Sequence, residues 1–262
     1  MSKVSTAKVE KSQTKEKIIV ALDVETAAEA RERIAELREE VGGFKIGLQL
    51  FTAVGASFVK ETVASGIKVF LDLKFHDIPN TVAKASVEAA RLGVWMFNVH
   101  AVGGGEMMRK TVGDVREFCE KENLIQPKIV AVTVLTSSDA QSLKEVGIEK
   151  ETEEQVLSLA RITAKCDMDG VVASPHEIKS IRENIDKKNF LIVTPGIRSS
   201  KFEDKRLKAE NQSGTYEDQK RVMSAFEAVR AGSDYLVIGR PILQATDRIL
   251  AVRQIVSEIE NS

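Results

Sequence analysis

Short apolar runs rich in β-branched residues alternate along this chain with longer amphipathic segments. Segments such as Ala27–Val41 place apolar residues three and four positions apart, as in a helix with one buried face. Strands and helices that alternate in this way form parallel sheets through crossover connections. We identify eight apolar runs, at Lys17–Asp23, Phe44–Leu48, Lys68–Lys74, Trp95–His100, Lys128–Leu135, Gly170–Ser174, Phe190–Pro195 and Tyr235–Gly239.

Eight β/α units in 262 residues fit a closed (β/α)8 TIM barrel that forms a single α/β domain. A doubly wound open sheet is the alternative, but it would need fewer strands or a glycine fingerprint after the first strand. Asp23-Val24-Glu25 stands there instead. We assign the barrel to residues 17–262 and interpret the polar residues 1–16 as a disordered N-terminal extension.

Composition and charge narrow the class of partner to a small molecule. The chain carries 38 basic and 39 acidic residues for a formal charge of -1, and no polybasic run occurs. Neither a nucleic acid nor a membrane is therefore an expected partner. The two cysteines, Cys119 and Cys166, lie far apart and suggest no disulfide framework, so we expect a reducing compartment, the cytoplasm.

Polar or conformationally special residues stand at the carboxyl ends of the apolar runs, which is the end of a barrel where active sites lie. Any single one of them could be no more than the start of a solvated loop. Their agreement at one end of the barrel predicts a site there. The residues are Asp23, Lys45, Asp72 with Lys74, His100, Thr136, Ser174, Pro195 and Gly239-Arg240.

The segment Asp72–Thr81 carries the strongest local signal for catalysis. Strand side chains alternate between faces, so Asp72 and Lys74 should share the face that lines the barrel mouth. Asp77 falls in the following loop, because Pro79 cannot continue a central strand. Two carboxylates beside one ammonium would hold Lys74 protonated and make it a general acid. The alternative is a surface ion cluster, since this spacing is short and common.

A second signal, for phosphate, follows the last apolar run. Pro241 suits the first turn of a helix, and free backbone N–H groups at a helix start bind anions. Arg198 in the seventh loop would bracket the same phosphate with Arg240. A Gly239-Arg240 turn with a solvated arginine is the alternative. The three histidines lack the spacing of metal ligands and cofactor motifs are absent, so we predict neither a metal nor a cofactor.

Taken together and in their order along the chain, the sequence motifs of this protein resemble those of bacterial orotidine 5'-phosphate decarboxylases. The resemblance extends from Ile18 to about Leu250. It implies a TIM barrel that converts orotidine 5'-phosphate to uridine 5'-phosphate and CO2 without a cofactor, the last step of UMP synthesis. The matching motifs are Val20–Asp23, Phe44–Gly47, Asp72–Thr81, Val132–Ser137, Thr194–Arg198, Asp218–Met223 and Ile238–Pro241.

The resemblance also implies roles for the residues of the third-strand motif. Lys74 is similar to the family's proton-donating lysine, and Asp72 and Asp77 are similar to its flanking carboxylates. In the family the second carboxylate reaches the neighbouring subunit's site. A homodimer is therefore implied, with Asp77 and Thr81 contributed across the interface.

The remaining motifs imply contacts with the nucleotide. Asp23 and Lys45 correspond to contacts with the ribose and to the charge network, and Thr136 to the residue that reads the pyrimidine edge. The implied phosphate contacts are Arg198, Gln219, Gly239 and Arg240.

The chain departs from the family pattern between Arg198 and Gln219, where residues 199–218 form a longer loop than expected. We expect this loop to be a mobile lid that becomes ordered on phosphate binding. Two other functions stay open. A metal-dependent decarboxylase of sugar-phosphate keto acids shares the barrel and the Asp-x-Lys-x-x-Asp pattern, but Lys45 stands where an acidic residue would help to bind the cation. A catalytically silent phosphate-binding barrel is disfavoured by the intact third-strand motif.

Overall fold

The computed structural model describes residues 13–197 and 223–261. Within them, eight parallel strands pair in sequential order, and β8 pairs with β1 to close the barrel. The closed barrel confirms the predicted fold, and each predicted apolar run overlaps one strand. The strands are β1 (Ile18–Ala21), β2 (Gly43–Gly47), β3 (Val69–Phe75), β4 (Met96–His100), β5 (Lys128–Val132), β6 (Gly170–Val172), β7 (Leu191–Thr194) and β8 (Tyr235–Ile238).

Helices follow the strands around the barrel. The helix predicted at Ala27–Val41 begins as expected, where the Thr26 side chain accepts a hydrogen bond from the Glu29 backbone, but it ends at Leu37. The helices are α1 (Ala27–Leu37), α2 (Leu48–Ala64), α3 (Pro79–Arg91), α4 (Gly104–Lys121), α5 (Ala140–Glu145), α6 (Thr152–Lys165), α7 (Ile178–Asn184), α8 (Ala225–Ala231), α9 (Arg240–Leu243) and α10 (Arg248–Glu260). Along the described parts of the chain, none of the helices combines the length and apolarity that crossing a membrane requires.

Strand alternation separates the core into two layers. Ile18 and Val20 belong to the layer between the strands and the helices, whereas Ile19 and Ala21 belong to a smaller cluster inside the barrel. Phe70 and Met96 are also in the inner cluster. Positions two residues further along β3 and β4 therefore lie inside the barrel, nearer its carboxyl end.

Residues just before β1 pack at the opposite end of the barrel. Glu16 Oε2 accepts a hydrogen bond of 2.7 Å from Lys68 Nζ, which lies 5.9 Å from the ring centroid of Trp95. Gly42 approaches Glu16 so closely that a Cβ at this position would lie 2.1 Å from the Glu16 carbonyl oxygen. Of the predicted N-terminal extension, residues 1–12 lie outside the described residues.

Candidate active site

Four consecutive strands bring charged and polar side chains together at the carboxyl end of the barrel. Lys45 lies in β2, Asp72 and Lys74 lie in β3, and Asn98 lies in β4. Asp23 follows the end of β1 by two residues. The predicted group of Asp23, Lys45, Asp72 and Lys74 is therefore assembled in one place.

These side chains form an ion network in which the two charge signs alternate. Lys74 Nζ lies 2.7 Å from Asp72 Oδ1, and Lys45 Nζ lies 3.3 Å from Asp72 Oδ2. Lys45 Nζ also lies 3.5 Å from Asp23 Oδ1. Each oxygen of Asp72 thus faces a different ammonium.

Burial distinguishes this network from an ordinary surface ion cluster. The side chains of Asp72 and Lys45 are 13% and 12% exposed, whereas that of Asp23 is 57% exposed. Burial of the Asp72 carboxyl opposes its ionisation. The ammoniums of Lys45 and Lys74, with hydrogen bonds from Lys74 and Asn98, outweigh burial and lower the Asp72 pKa below its ordinary value. Asp72 is therefore a carboxylate at neutral pH.

The backbone of β3 is irregular where it carries Lys74. Leu71 pairs with Phe97 and Phe75 pairs with Val99, so β3 advances four residues while β4 advances two. Lys74 has a φ of 51°, in the left-handed region that L-residues seldom adopt. The expectation of regular alternation from Asp72 to Lys74 is therefore wrong for the backbone, although both side chains reach the same site.

Asn98 occupies the gap left by this irregularity, and the sequence analysis did not identify it. Its Oδ1 accepts a hydrogen bond of 2.8 Å from the Lys74 backbone N–H, and its Nδ2 donates one of 2.7 Å to Asp72 Oδ1. The side chain is completely buried. A polar residue two positions after Met96, in the register that faces the barrel interior, was the signal that would have revealed it.

Asp77 does not bracket Lys74 within one chain. It is exposed in the turn before α3, and its Oδ1 accepts a hydrogen bond of 2.6 Å from the Ile78 backbone N–H. Within the described ranges, Asp72 is the carboxylate that forms an ion pair with Lys74. Thr81 is likewise exposed, in the first turn of α3, and the Ile78 side chain between them is 66% exposed.

His100, at the end of β4, lies close to the network. Its ring centroid is 5.7 Å from that of His76. Burial, followed by the nearby His76 and Lys74, lowers the pKa of His100 below its ordinary value. The imidazole is therefore uncharged at neutral pH.

The predicted nucleotide contacts are partly described. Thr136 is half-buried in the turn after β5. Gly239 adjoins the network, because a Cβ there would lie 3.0 Å from Asp23 Oδ2. Arg240 is exposed and begins α9, with a proline in the first turn as predicted. The other predicted phosphate contacts, Arg198 and Gln219, and the loop at 199–218 lie outside the described residues.

Two further features concern possible binding sites elsewhere. In residues 13–197 and 223–261, no group of three or more His, Cys, Asp or Glu side chains is arranged to hold a metal ion. A groove of about 420 Å³ lies between α1 and α2, and its lining includes Arg31, Phe58 and Glu61. None of the predicted site residues lines this groove.

Two known proteins with similar sequences carry the same name, and a family model agrees with it. A sequence model of the orotidine 5'-phosphate decarboxylase / HUMPS family matches residues 16–255. Orotidine 5'-phosphate decarboxylase of Geobacter sulfurreducens is 50% identical over 250 residues, which cover 95% of this chain and 98% of that protein. The protein of the same name from Syntrophotalea carbinolica is 47% identical over 247 residues, covering 94% and 96%.

A solved structure agrees with these sequence matches. The crystal structure of orotidine 5'-phosphate decarboxylase from Lactobacillus acidophilus superposes with a TM-score of 0.77 at 35% sequence identity. The superposition covers 94% of this chain and 99% of the other.

Proposed function

The chain belongs to the orotidine 5'-phosphate decarboxylase / HUMPS family and catalyses decarboxylation of orotidine 5'-phosphate to uridine 5'-phosphate; we propose that Lys74 is the proton donor and that no cofactor is used. The observation that carries this assignment is the partly buried contact of 2.7 Å between Lys74 Nζ and Asp72 Oδ1. It keeps an ammonium at the barrel mouth, where it is available as a general acid. This reaction is the last step of de novo UMP synthesis.

The proposed chemistry needs little more than a fixed charge and a proton. When the bond from C6 to the carboxylate breaks, CO2 leaves and the electron pair stays on C6. Lys74 stabilises this carbanion by its charge and then transfers one N–H proton to C6. The neutral amine regains a proton from solvent. Asp72, placed beside the substrate carboxylate, adds repulsion that favours loss of CO2.

Lys45 and Asp23 support this centre from the neighbouring strands. The Lys45 ammonium, 3.3 Å from Asp72, helps to keep that carboxylate ionised and fixed. Asp23 is more exposed and lies next to Gly239, so it is placed to accept hydrogen bonds from the ribose hydroxyls. We assign the pyrimidine edge to Thr136, in the turn after β5.

Phosphate recognition is assigned to the loops that follow β7 and β8, next to the end of β1. Gly239 and Arg240, at the start of α9, provide backbone N–H groups and a cation. Arg198 and Gln219 complete the proposed set. Phosphate contacts far from C6 supply binding energy that holds the reacting atoms in position.

We propose that the working protein is a homodimer in which Asp77 and Thr81 enter the partner's site. Asp77 is exposed and forms no ion pair with Lys74 of its own chain in the described residues. Beside it, the apolar Ile78 side chain is 66% exposed, which suits an interface. The second carboxylate of the predicted bracket would then come from another copy of this chain.

Subunit mixing tests this shared site. Lys74→Ala and Asp77→Asn homodimers should both be nearly inactive, and unfolding and refolding them together should restore activity. A mixed dimer contains one site with an intact Lys74 and an intact Asp77 from different chains. Mass spectrometry is used to establish that the mixture contains mixed dimers. If activity is then not restored, the shared site is contradicted.

The reaction itself is tested with protein stripped of metal ions. Orotidine 5'-phosphate is added, and its conversion is followed by ultraviolet absorbance. We expect turnover by the wild-type protein and none by Lys74→Ala, which should still bind uridine 5'-phosphate. Lys110→Ala, which removes a surface ammonium paired with Asp114, is the matched control. Turnover by Lys74→Ala close to that of the control would remove the proposed role of Lys74.

The metal-dependent alternative is not favoured, because the similar proteins named above are orotidine 5'-phosphate decarboxylases. A cytoplasmic location remains our proposal. Its support is that Cys119 and Cys166 are both buried free thiols, which suits a reducing compartment.

A further inference from the structure

We propose that Asn98 is a positioning residue of this site, whose buried amide fixes both the Asp72 carboxylate and the backbone turn that presents Lys74. The role rests on the proposed function of Lys74. Asn98 is assigned no contact with the substrate and acts through these two residues.

The amide contacts both residues at once. Asn98 Nδ2 donates to Asp72 Oδ1 at 2.7 Å, and this same oxygen lies 2.7 Å from Lys74 Nζ. Lys45 Nζ faces the other oxygen, Oδ2. The carboxylate is thus held on both oxygens by neighbouring strands, and rotation about its side-chain bonds would break at least one contact.

The second contact concerns the main chain. Lys74 has a φ of 51°, a conformation that persists in a non-glycine residue only where the surroundings enforce it. The pairing of β3 with β4 skips from Leu71 to Phe75, so the Lys74 N–H lies in a break of the regular ladder. Asn98 Oδ1 accepts that N–H at 2.8 Å. The side chain therefore replaces the missing backbone acceptor and stabilises the turn.

An asparagine suits this position because one neutral group must donate and accept. Aspartate would keep the acceptor for the Lys74 N–H but would place a second carboxylate against Asp72. Alanine would remove both contacts. Among the described residues, the other charged or titratable groups around Asp72 and Lys74 are Lys45 on β2, Asp23 after β1, His76 after β3 and His100 on β4.

Three variants separate positioning from mere structural support. Asn98→Ala removes both hydrogen bonds, and Asn98→Asp removes only the one to Asp72. Ser233→Ala is the control, because Ser233 is also a buried residue whose hydroxyl bonds a side chain, Thr194 Oγ1, at 2.8 Å. Stability of each variant is measured by urea unfolding. The kcat and KM for orotidine 5'-phosphate are measured from pH 5 to pH 9.

We expect kcat of Asn98→Ala to fall by about 10- to 100-fold with little change in KM, because the reacting groups lose their alignment. Ser233→Ala should keep the wild-type kcat even if it is equally destabilised. Asn98→Asp should be slow at high pH and recover as the pH falls, because two adjacent carboxylates share a proton and the protonated one donates again.

Two results would overturn the role of Asn98 while leaving the proposed reaction intact. In the first, the wild-type protein turns over orotidine 5'-phosphate, and the kcat of Asn98→Ala equals that of the Ser233→Ala control. In the second, the kcat of Asn98→Asp depends on pH in the same way as the kcat of the wild-type protein. This second test requires only that the isosteric variant Asn98→Asp folds. Absence of turnover by the wild-type protein would instead defeat the proposed function and this role with it.

Discussion

Replacement of Lys45 by Met tests the energetics of the ion network most directly. Met keeps much of the apolar stem but removes the ammonium that lies between Asp72 and Asp23. At 3.3 Å from Asp72 and an effective dielectric constant of about 20, the attraction is about 5 kcal/mol. Desolvation of two largely buried ions offsets most of it.

The net cost should be about 1–3 kcal/mol, because Asp72 keeps its contacts with Lys74 and Asn98. The contact with Asp23 adds little, because that carboxylate is 57% exposed. The free energy of unfolding is measured in urea at pH 7. Lys110→Met is the matched control. It removes a partly exposed pair of 2.9 Å within α4 and should cost at most about 0.5 kcal/mol.

The cost of the Lys45 substitution should also depend on pH. The folded protein lowers the Asp72 pKa, so the associated stability is present above the unfolded pKa of about 4 and is lost as the pH falls through the folded value. Lys45→Met raises that folded value. The difference in unfolding free energy between wild type and variant should therefore be full at pH 7 and shrink below about pH 4.

Two results would refute this reasoning. In the first, Lys45→Met lowers the free energy of unfolding at pH 7 by no more than Lys110→Met does. The other is a difference between Lys45→Met and wild type that stays constant from pH 7 into the acid range, since the ionisation of Asp72 would then not depend on Lys45.

Two further substitutions separate stability from recognition. Arg182→Met breaks a partly exposed ion pair of 2.5 Å with Asp234. It should lower the free energy of unfolding in urea by about 1–3 kcal/mol and leave kcat unchanged. A variant as stable as the wild-type protein would contradict this prediction. Gly239→Ala places a Cβ 3.0 Å from Asp23 Oδ2, so steady-state kinetics should show a higher KM for orotidine 5'-phosphate with little loss of stability; an unchanged KM would count against the proposed nucleotide contacts.

The barrel was predictable because its strands are buried on both faces. Such strands appear in the sequence as nearly continuous β-branched runs, and eight runs in regular alternation with helices leave few other folds. Strand ends were less predictable. The run predicted to end at Leu135 ends as a strand at Val132, because pairing with β6 stops at Val172.

The site was predictable where the charged residue stands at the end of an apolar run, as with Lys45 and Asp72. The left-handed turn at Lys74 was not, because lysine has no preference for that conformation and the cause lies on another strand, at Asn98. The local pattern also placed Asp77 beside Lys74 of its own chain. The pairing of Asp77 with the Ile78 N–H instead depends on loop geometry, which residue spacing does not encode.

The ion network has an uneven origin along the chain. Its charged members and Asn98 come from β2 to β4 and from Asp23, two residues after β1, whereas the proposed phosphate contacts follow β7 and β8. The first half of the barrel thus carries the proposed catalytic groups, and the second half carries the residues proposed to bind the substrate phosphate. We expect substitutions after β7 and β8, other than at Gly239 beside Asp23, to change which phosphorylated compound is held and to leave the ionised cluster intact. A barrel built in this way can change its substrate specificity while it keeps the same catalytic groups.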